Sequence, residues 1–498
     1  MDFPARRIGT IILACISPAT LLGAQHHRYR LVDLGTLGGP HSYGEINGWG
    51  IRLLNDAGVV GSFADTEQPD PDAPNCNLPD CYLAHAFRWK NGSMEDLGSL
   101  PGTNFSAGGS INARGWIAGQ GTSPTIDPNL GVHEGRALLW TNKDMIDLGD
   151  LPGGHESLSV YVDDNGQVVG FSDNGVPDVN SFFFFPTGTQ IRTFLWQNGN
   201  MRDIGTLGGA SAVPGVNCNG QPRNFIVGAS FVSDQVNAAT GVPTVAPFLW
   251  KDGVMTNLGS LGGTIGWAQC SDPSDDIIGI SNLSGDTNTH AFLWKNGQMH
   301  DLGTLGGPNS EAIWINQSGL IVGSADLPGD NLHDAVIWKN GVIKDLGTVD
   351  GDACSRGRGV NARGQVVGLS SDCHTSLHAV LWEGDGPLVD LNTLIAPGSG
   401  WQLSLAFDIN DGGEILAIAG PVGATPSDDL GHLVLLKPCA PDDDGCADTA
   451  DPAPAIQANP PAHITTAIHG SPKSYRSPVE ENVATWRNRF ARHFNVPR

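Results

Sequence analysis

Short apolar and aromatic runs, bounded by polar residues, return along the chain at near-regular intervals. The clearest is His290-Ala291-Phe292-Leu293-Trp294. It is followed by Asn296-Gly297, by Asp301-Leu302-Gly303, and by Leu305-Gly306-Gly307. Ile315-Asn316, Gly319 and Ile321-Val322-Gly323 complete the unit. Apolar runs of this length between turn residues predict strands, and Asn-Gly or Asp-Gly between two of them predicts a tight hairpin. Asn-x-x-Gly predicts a second turn, with Gly in the left-handed position. Each unit therefore reads as four antiparallel strands.

The run ends in tryptophan at Trp89, Trp140, Trp196, Trp250, Trp294, Trp338 and Trp382. The last three intervals are 44 residues and the earlier ones 51 to 56. A period of this size means a repeat array or propeller, not independent domains. "DLG"-type segments start at Asp33, Asp96, Asp147, Asp203, Asn257, Asp301, Asp345 and Asp390. "IVG"-type segments end near Gly61, Gly119, Gly170, Gly228, Gly279, Gly323, Gly368 and Ala417. With Gly431 to Leu436 as a last copy of the "HAFLW" run, each type occurs eight times. The first unit lacks that run and its last copy stands alone, so the array is circularly offset. Pairing Tyr29 to Gly35 with Gly431 to Leu436 would close a ring and remove two exposed edges. The expected fold is all-β, an eight-bladed β-propeller of four-stranded blades at 28–437, closed by N- and C-terminal strands. Seven blades and an open β-repeat array are the alternatives. The strand ending in Ile-Asn is expected innermost and the "DLG" strand outermost.

Composition agrees. Gly is 67 and Pro 33 of 498 residues, which favours turn-rich β structure. The net charge of −25 repels phosphate, so nucleic acid and anionic membrane are not expected as partners. Arg6 and Arg7 precede an apolar stretch from Ile8 to Gly23, so 1–24 reads as a secretory signal. The mature chain then has no transmembrane span. The location expected is secreted or periplasmic, at the cell envelope. A lipidated Cys15 is the variant reading. Removing Cys15 leaves an even eight cysteines, as export predicts. Cys76/Cys81 and Cys439/Cys446 are close pairs. Cys354 and Cys373 flank the hairpin at Asn361 to Gly364. Cys218 and Cys270 pair by elimination.

These motifs resemble the bacterial extracellular HAF-repeat proteins, named for the His-Ala-Phe seen at His85-Ala86-Phe87 and at His290-Ala291-Phe292. The resemblance covers about Tyr29 to Leu436. Arg136-Ala137-Leu138 and Asp334-Ala335-Val336 depart from the motif, and the fifth unit lacks the Ile-Asn pair. The resemblance implies export and a repeat fold, with no established activity.

Residues that recur at matching positions are expected to be structural: the tryptophans, the histidines His85, His290, His378 and His432, and the "DLG" aspartates. Function is sought where units differ. Length variation falls at Ala64 to Leu83, Gly121 to Gly135, Ser172 to Ile191, Phe231 to Ala246 and Pro421 to Asp429, all on one face. Long loops gathered on one face suit binding of a glycan, peptide or protein. The non-recurring aromatics Trp49, Trp267, Trp314 and Trp401 are the candidate ligand-binding residues for the central funnel. The acidic stretches Asp65 to Asp80 and Asp442 to Asp444 invite a Ca2+ reading, although neither has EF-hand spacing. No metal, cofactor or catalytic residue is assigned. H-E-x-x-H, G-x-S-x-G and P-loop motifs are absent. The role expected is non-catalytic binding or structure, with a glycan-active hydrolase or lyase on the long-loop face as the alternative. Beyond the repeats, 438–476 reads as a Pro/Ala/Asp-rich linker. Residues 477–496 read as a basic amphipathic helix opened by Ser477-Pro478-Val479-Glu480.

Overall fold

The computed structural model describes residues 28–439 and Cys446, apart from 45–50, 72–75, 77, 79, 129–130, 181–187, 219, 221–224, 239, 330–331, 374–376, 385 and 424–430. The signal segment, Trp49, Asp442 to Asp444, nearly all of the linker and the basic helix lie outside the described residues. Among those described, the chain is all-β, with one 3-10 turn at Leu391–Thr393. No helix there is long and apolar enough to cross a membrane.

Four-stranded antiparallel units follow one another at 38–96, 106–147, 157–203, 212–257, 262–301, 310–347 and 354–390. The last unit, 401–438, has three strands of its own and takes Tyr29–Asp33 as its fourth. In that pairing Leu31 faces Leu436 and Asp33 faces Val434. Six sheets are four-stranded, and one of eight strands joins two units through a single parallel bridge between Val245 and Ile265.

The motifs have direct physical causes. Asn91-Gly92, Asn198-Gly199, Asp252-Gly253, Asn296-Gly297 and Asn340-Gly341 all have positive φ at both residues, which matches the twist of the strands they join. The "DLG" aspartate closes a turn on its own chain. Asp96 Oδ1 accepts from Gly98 N–H at 2.8 Å and Asp301 Oδ1 from Gly303 N–H at 2.7 Å. The same carboxylates hold the histidines of the "HAF" strand: His85 Nδ1 to Asp96 at 3.1 Å, His290 to Asp301 at 2.9 Å and His432 to Asp33 at 3.0 Å. In these three cases both recurring polar groups are consumed in one cross-strand pair, whereas His378 bonds Asp352 at 2.9 Å. The second Gly of Leu-Gly-Gly lies against the neighbouring strand. A Cβ at Gly39 would overlap the Thr66 carbonyl and the Asp65 side chain, and one at Gly307 would overlap Asp326.

Neighbouring units are tied by three repeated contacts. The asparagine of the Asn-x-x-Gly turn donates to the same turn of the next unit: Asn55 Nδ2 to Asn112 O at 3.0 Å, and Asn316 Nδ2 to Asn361 O at 2.8 Å. A serine of the next unit's first strand accepts from the "HAF" strand, as Ser310 Oγ does from Ala291 N–H at 3.0 Å. A cation lies over the next unit's tryptophan, with Lys344 4.5 Å from Trp382. The last unit makes all three contacts to the first. Asn410 Nδ2 donates to Asn55 O at 3.2 Å, Leu433 N–H donates to Ser42 Oγ at 2.8 Å, and Lys437 lies 5.7 Å from Trp89.

Four disulfides join Cys76–Cys81, Cys218–Cys270, Cys354–Cys373 and Cys439–Cys446, as suits an oxidising, non-cytoplasmic compartment. Much of the length variation differs from its expected form. Strands Val60–Pro69 and Tyr82–Lys90 continue well beyond the core as a ladder, as do Val168–Pro177 with Thr189–Gln197. Backbone groups leaving the core still need partners, and extending the hairpin supplies them.

Candidate functional site

The extended hairpin of the first unit builds a polar cluster that no other unit repeats among the described residues. His41 and Tyr43 lie on Gly38–Tyr43, where a bulge between Gly38 and Ser42 loosens the pairing. Asp65 lies opposite, on Val60–Pro69. Asp80 returns from the hairpin tip beside Cys81, where the Cys76–Cys81 disulfide fixes the chain. His41 Nδ1 donates to Asp80 Oδ2 at 2.7 Å and lies 3.5 Å from Asp65 Oδ2. The His41 main-chain N–H also donates to Asp65 Oδ2, at 2.9 Å. The Tyr43 hydroxyl is 2.9 Å from both Asp65 Oδ1 and Asp80 Oδ2, and its single proton serves one of them at a time. The Tyr43 ring stacks on Phe63 at 4.7 Å, which fixes the hydroxyl in place.

Electrostatics follow from that crowding. Burial alone would lower the His41 imidazole, but its bonds to Asp65 and Asp80 outweigh this and push it up to about 9. Burial pushes the Asp65 carboxyl up to about 6, against the bond from His41, and the adjacent Asp80 adds to the rise. Asp80 is held below the usual carboxylate range: burial opposes this, and the bonds from His41, Asp65 and Tyr43 prevail. Asp65 is fully buried, while His41 keeps a 25% exposed side chain. Among the described residues neither carboxylate pairs with a lysine or arginine.

A histidine–carboxylate pair between the second and third units shows the difference. By strand register Glu156 occupies the position of His41, and the main-chain N–H of the preceding His155 donates to Asp173 at 2.7 Å. The His155 Nδ1 bonds Glu134 at 2.8 Å, but Arg136 also reaches Glu134, at 3.5 Å. That carboxylate therefore has a permanent cation. Glu156, fully buried nearby, accepts from Gly135 N–H at 2.8 Å through Oε2, and its Oε1 has no partner among the described residues.

The aromatics expected to line the funnel do not gather at this cluster. Trp314 is buried beside a small cavity of about 50 Å³ shared with Arg52 and Asp408. Trp401 is buried against His432, with ring centroids 5.0 Å apart. Trp267 is half-buried against the core. A larger cavity of about 420 Å³ opens between the third and fourth units, walled by Asp163, Asn217 and the Arg202–Trp250 pair. The acidic stretch from Asp65 to Asp80 was legible in sequence as a cation candidate. His41 and Tyr43 were not assigned, although "HSY" after Gly-Gly-Pro occurs in one unit alone.

No family model matches the chain, and no curated protein matches it. Several solved structures are similar. The β-propeller domain of the Trilobed protease from Pyrococcus furiosus aligns at 11% identity and a TM-score of 0.42, covering 72% of this chain and 97% of that one. TolB from Acinetobacter baumannii aligns at 12% identity and a TM-score of 0.32, covering 68% and 77%. Trypanosoma rangeli sialidase aligns at 9% identity and a TM-score of 0.28, covering 83% and 94%.

Proposed function

We propose that this chain is an exported, closed eight-bladed propeller of the HAF-repeat type with a non-catalytic binding role. Eight blades follow when the eight-stranded sheet is divided at its single parallel bridge. Closure is supported by the three ties from the last unit to the first, which are those used between consecutive units. The ligand, a glycan, peptide or protein, meets the face bearing the extended hairpins, at His41, Tyr43, Asp65 and Asp80.

One observation carries this reading. Three of the four recurring histidines are spent on "DLG" aspartates and the fourth on Asp352, whereas among the described residues this cluster occurs once, on the variable face, with charge not balanced by a lysine or arginine. A glycan-active hydrolase is favoured less. Carboxylate oxygens of Asp65 and Asp80 lie within 4.8 Å of each other, whereas a glycosidase pair stands about 5–9.5 Å apart to admit the scissile bond.

The test is a glycan and peptide array probed with the mature chain, with His41→Ala and Tyr43→Phe variants, and with a form lacking the tail from Pro438. Binding that survives tail removal and falls in both point variants supports the reading. Binding lost only with the tail, or turnover of an array ligand, overturns it.

A further inference from the structure

We propose that His41, Asp65 and Asp80 form a binding site for a divalent transition-metal ion of the zinc type. The inference rests on reading this cluster as the ligand site and names the chemistry it takes.

Three donors converge: an imidazole nitrogen and two carboxylate oxygens, all within 4.8 Å of one another. Among the described residues no other trio of His, Cys, Asp or Glu meets that condition. Donors about 2.1 Å from a tetrahedral ion stand about 3.4 Å apart. The His41–Asp65 separation of 3.5 Å already fits, and the 2.7 Å His41–Asp80 contact needs to open by about 0.7 Å.

The surroundings hold the donors in place. Asp65 is oriented by the His41 N–H, and its other oxygen meets the Tyr43 hydroxyl. Such outer contacts are what metal-ligating carboxylates require. The Cys76–Cys81 bridge anchors Asp80, and Tyr43 is clamped by Phe63. His41 remains partly exposed, which leaves an approach for an ion and for an exogenous fourth ligand.

Charge gives an independent argument. Two carboxylates, one of them fully buried, face a single imidazole with no lysine or arginine among the described residues. His155 bonds Glu134 of the preceding unit, but there Arg136 supplies a cation and, among the described residues, no third donor joins. Donor type selects the ion. Calcium wants six to eight oxygens, whereas one imidazole with two carboxylates suits zinc and its neighbours.

The experiment is calorimetric titration of the disulfide-bonded chain, dialysed against chelator, with Zn2+ and then Co2+. Co2+ also reports geometry through its visible absorption. One equivalent of Zn2+ is expected to bind, undisturbed by excess Ca2+. His41→Ala and Asp80→Asn are expected to weaken it at least tenfold, and Tyr43→Phe about 10-fold. His155→Ala is expected to leave it unchanged. Thermal melts of each variant separate lost folding from lost binding, and Tyr43→Phe, which keeps the ring packing, serves if the ligand variants unfold. No binding by the wild-type chain, or equal binding in folded His41→Ala, overturns the proposal. Array binding without metal binding removes the metal and leaves the recognition site. Metal binding without any array ligand does the reverse.

Discussion

Asn410 Nδ2 donates to the main-chain carbonyl of Asn55 at 3.2 Å, across 355 residues of sequence. The bond is one member of a belt running from Asn316 to Asn361, Asn410, Asn55, Asn112 and the carbonyl of Asp163. Each asparagine uses its Oδ1 on its own turn, as Asn410 does for Glu414 N–H at 2.9 Å, so the amide works in both directions. If last and first units meet as any consecutive pair does, Asn410→Ala and Asn316→Ala should cost similar stability. The loss expected is about 1–3 kcal/mol, because buried partners are left unpaired. Urea denaturation of both variants checks this. A near-neutral Asn410→Ala beside a costly Asn316→Ala would mean that the array stays open in solution.

The belt loses its donor at Asp163. Its Oδ1 still accepts from Asn165 and Gln167 N–H, at 2.9 and 2.8 Å, but a carboxylate cannot pass a hydrogen bond onward. Asp163 and Asn217 instead border the cavity between the third and fourth units. Burial raises the Asp163 carboxyl, against the N–H donors of Gln167 and Asn165, so its ionisation opposes folding. Asp163→Asn should therefore stabilise the chain, and the gain should grow as pH rises above the usual aspartate range. Melting temperatures at pH 4 and pH 8 measure it. A gain that is absent, or equal at both values, would remove the carboxylate from the explanation.

Much of this scaffold was legible because it repeats. Asn-Gly, Asp-Leu-Gly and Asn-x-x-Gly each report a local turn whose chemistry is complete within a few residues, so strands and their order could be read off. The offset between Tyr29–Asp33 and His432–Pro438 was visible for the same reason. The cluster at His41 was not, because its partners lie 24 and 39 residues away and meet through a hairpin whose extension no motif announces. Trp401 is the contrasting case. It does not recur in its class, yet it simply covers His432. Rarity in a repeat marks a difference between units, and burial decides whether that difference faces a ligand.

The disulfides should separate stability from site order. Cys218–Cys270 spans 52 residues and joins the fourth and fifth units, so its removal should cost about 4 kcal/mol by loop entropy. Cys76–Cys81 spans 5 residues, and the same relation gives about 2 kcal/mol. Paired Cys→Ser replacements at each bridge, compared by denaturation midpoint and by binding at the His41 cluster, check the contrast. The expected pattern is a large stability loss with binding retained for Cys218/Cys270. For Cys76/Cys81 it is a smaller stability loss with weakened binding. The reverse pattern would mean that Asp80 is held by its hydrogen bonds alone.

Glu156 should limit stability at neutral pH. Burial pushes its carboxyl well above the usual range; the N–H of Gly135 opposes this, and Asp127, Asp173 and Glu134 add to the rise. A raised carboxyl favours the folded state fully below its ordinary value near 4.5, and that contribution is lost as pH climbs through the folded value. Glu156→Gln keeps the acceptor for Gly135 N–H and removes the ionisation. The variant should match the parent at pH 4 and be the more stable at pH 8, with the difference widening between them. Urea midpoints across that range are the measurement. A constant difference would show that Glu156 does not change its protonation on unfolding. A parent that is more stable at pH 8 would show that a cation already neutralises the carboxylate in solution.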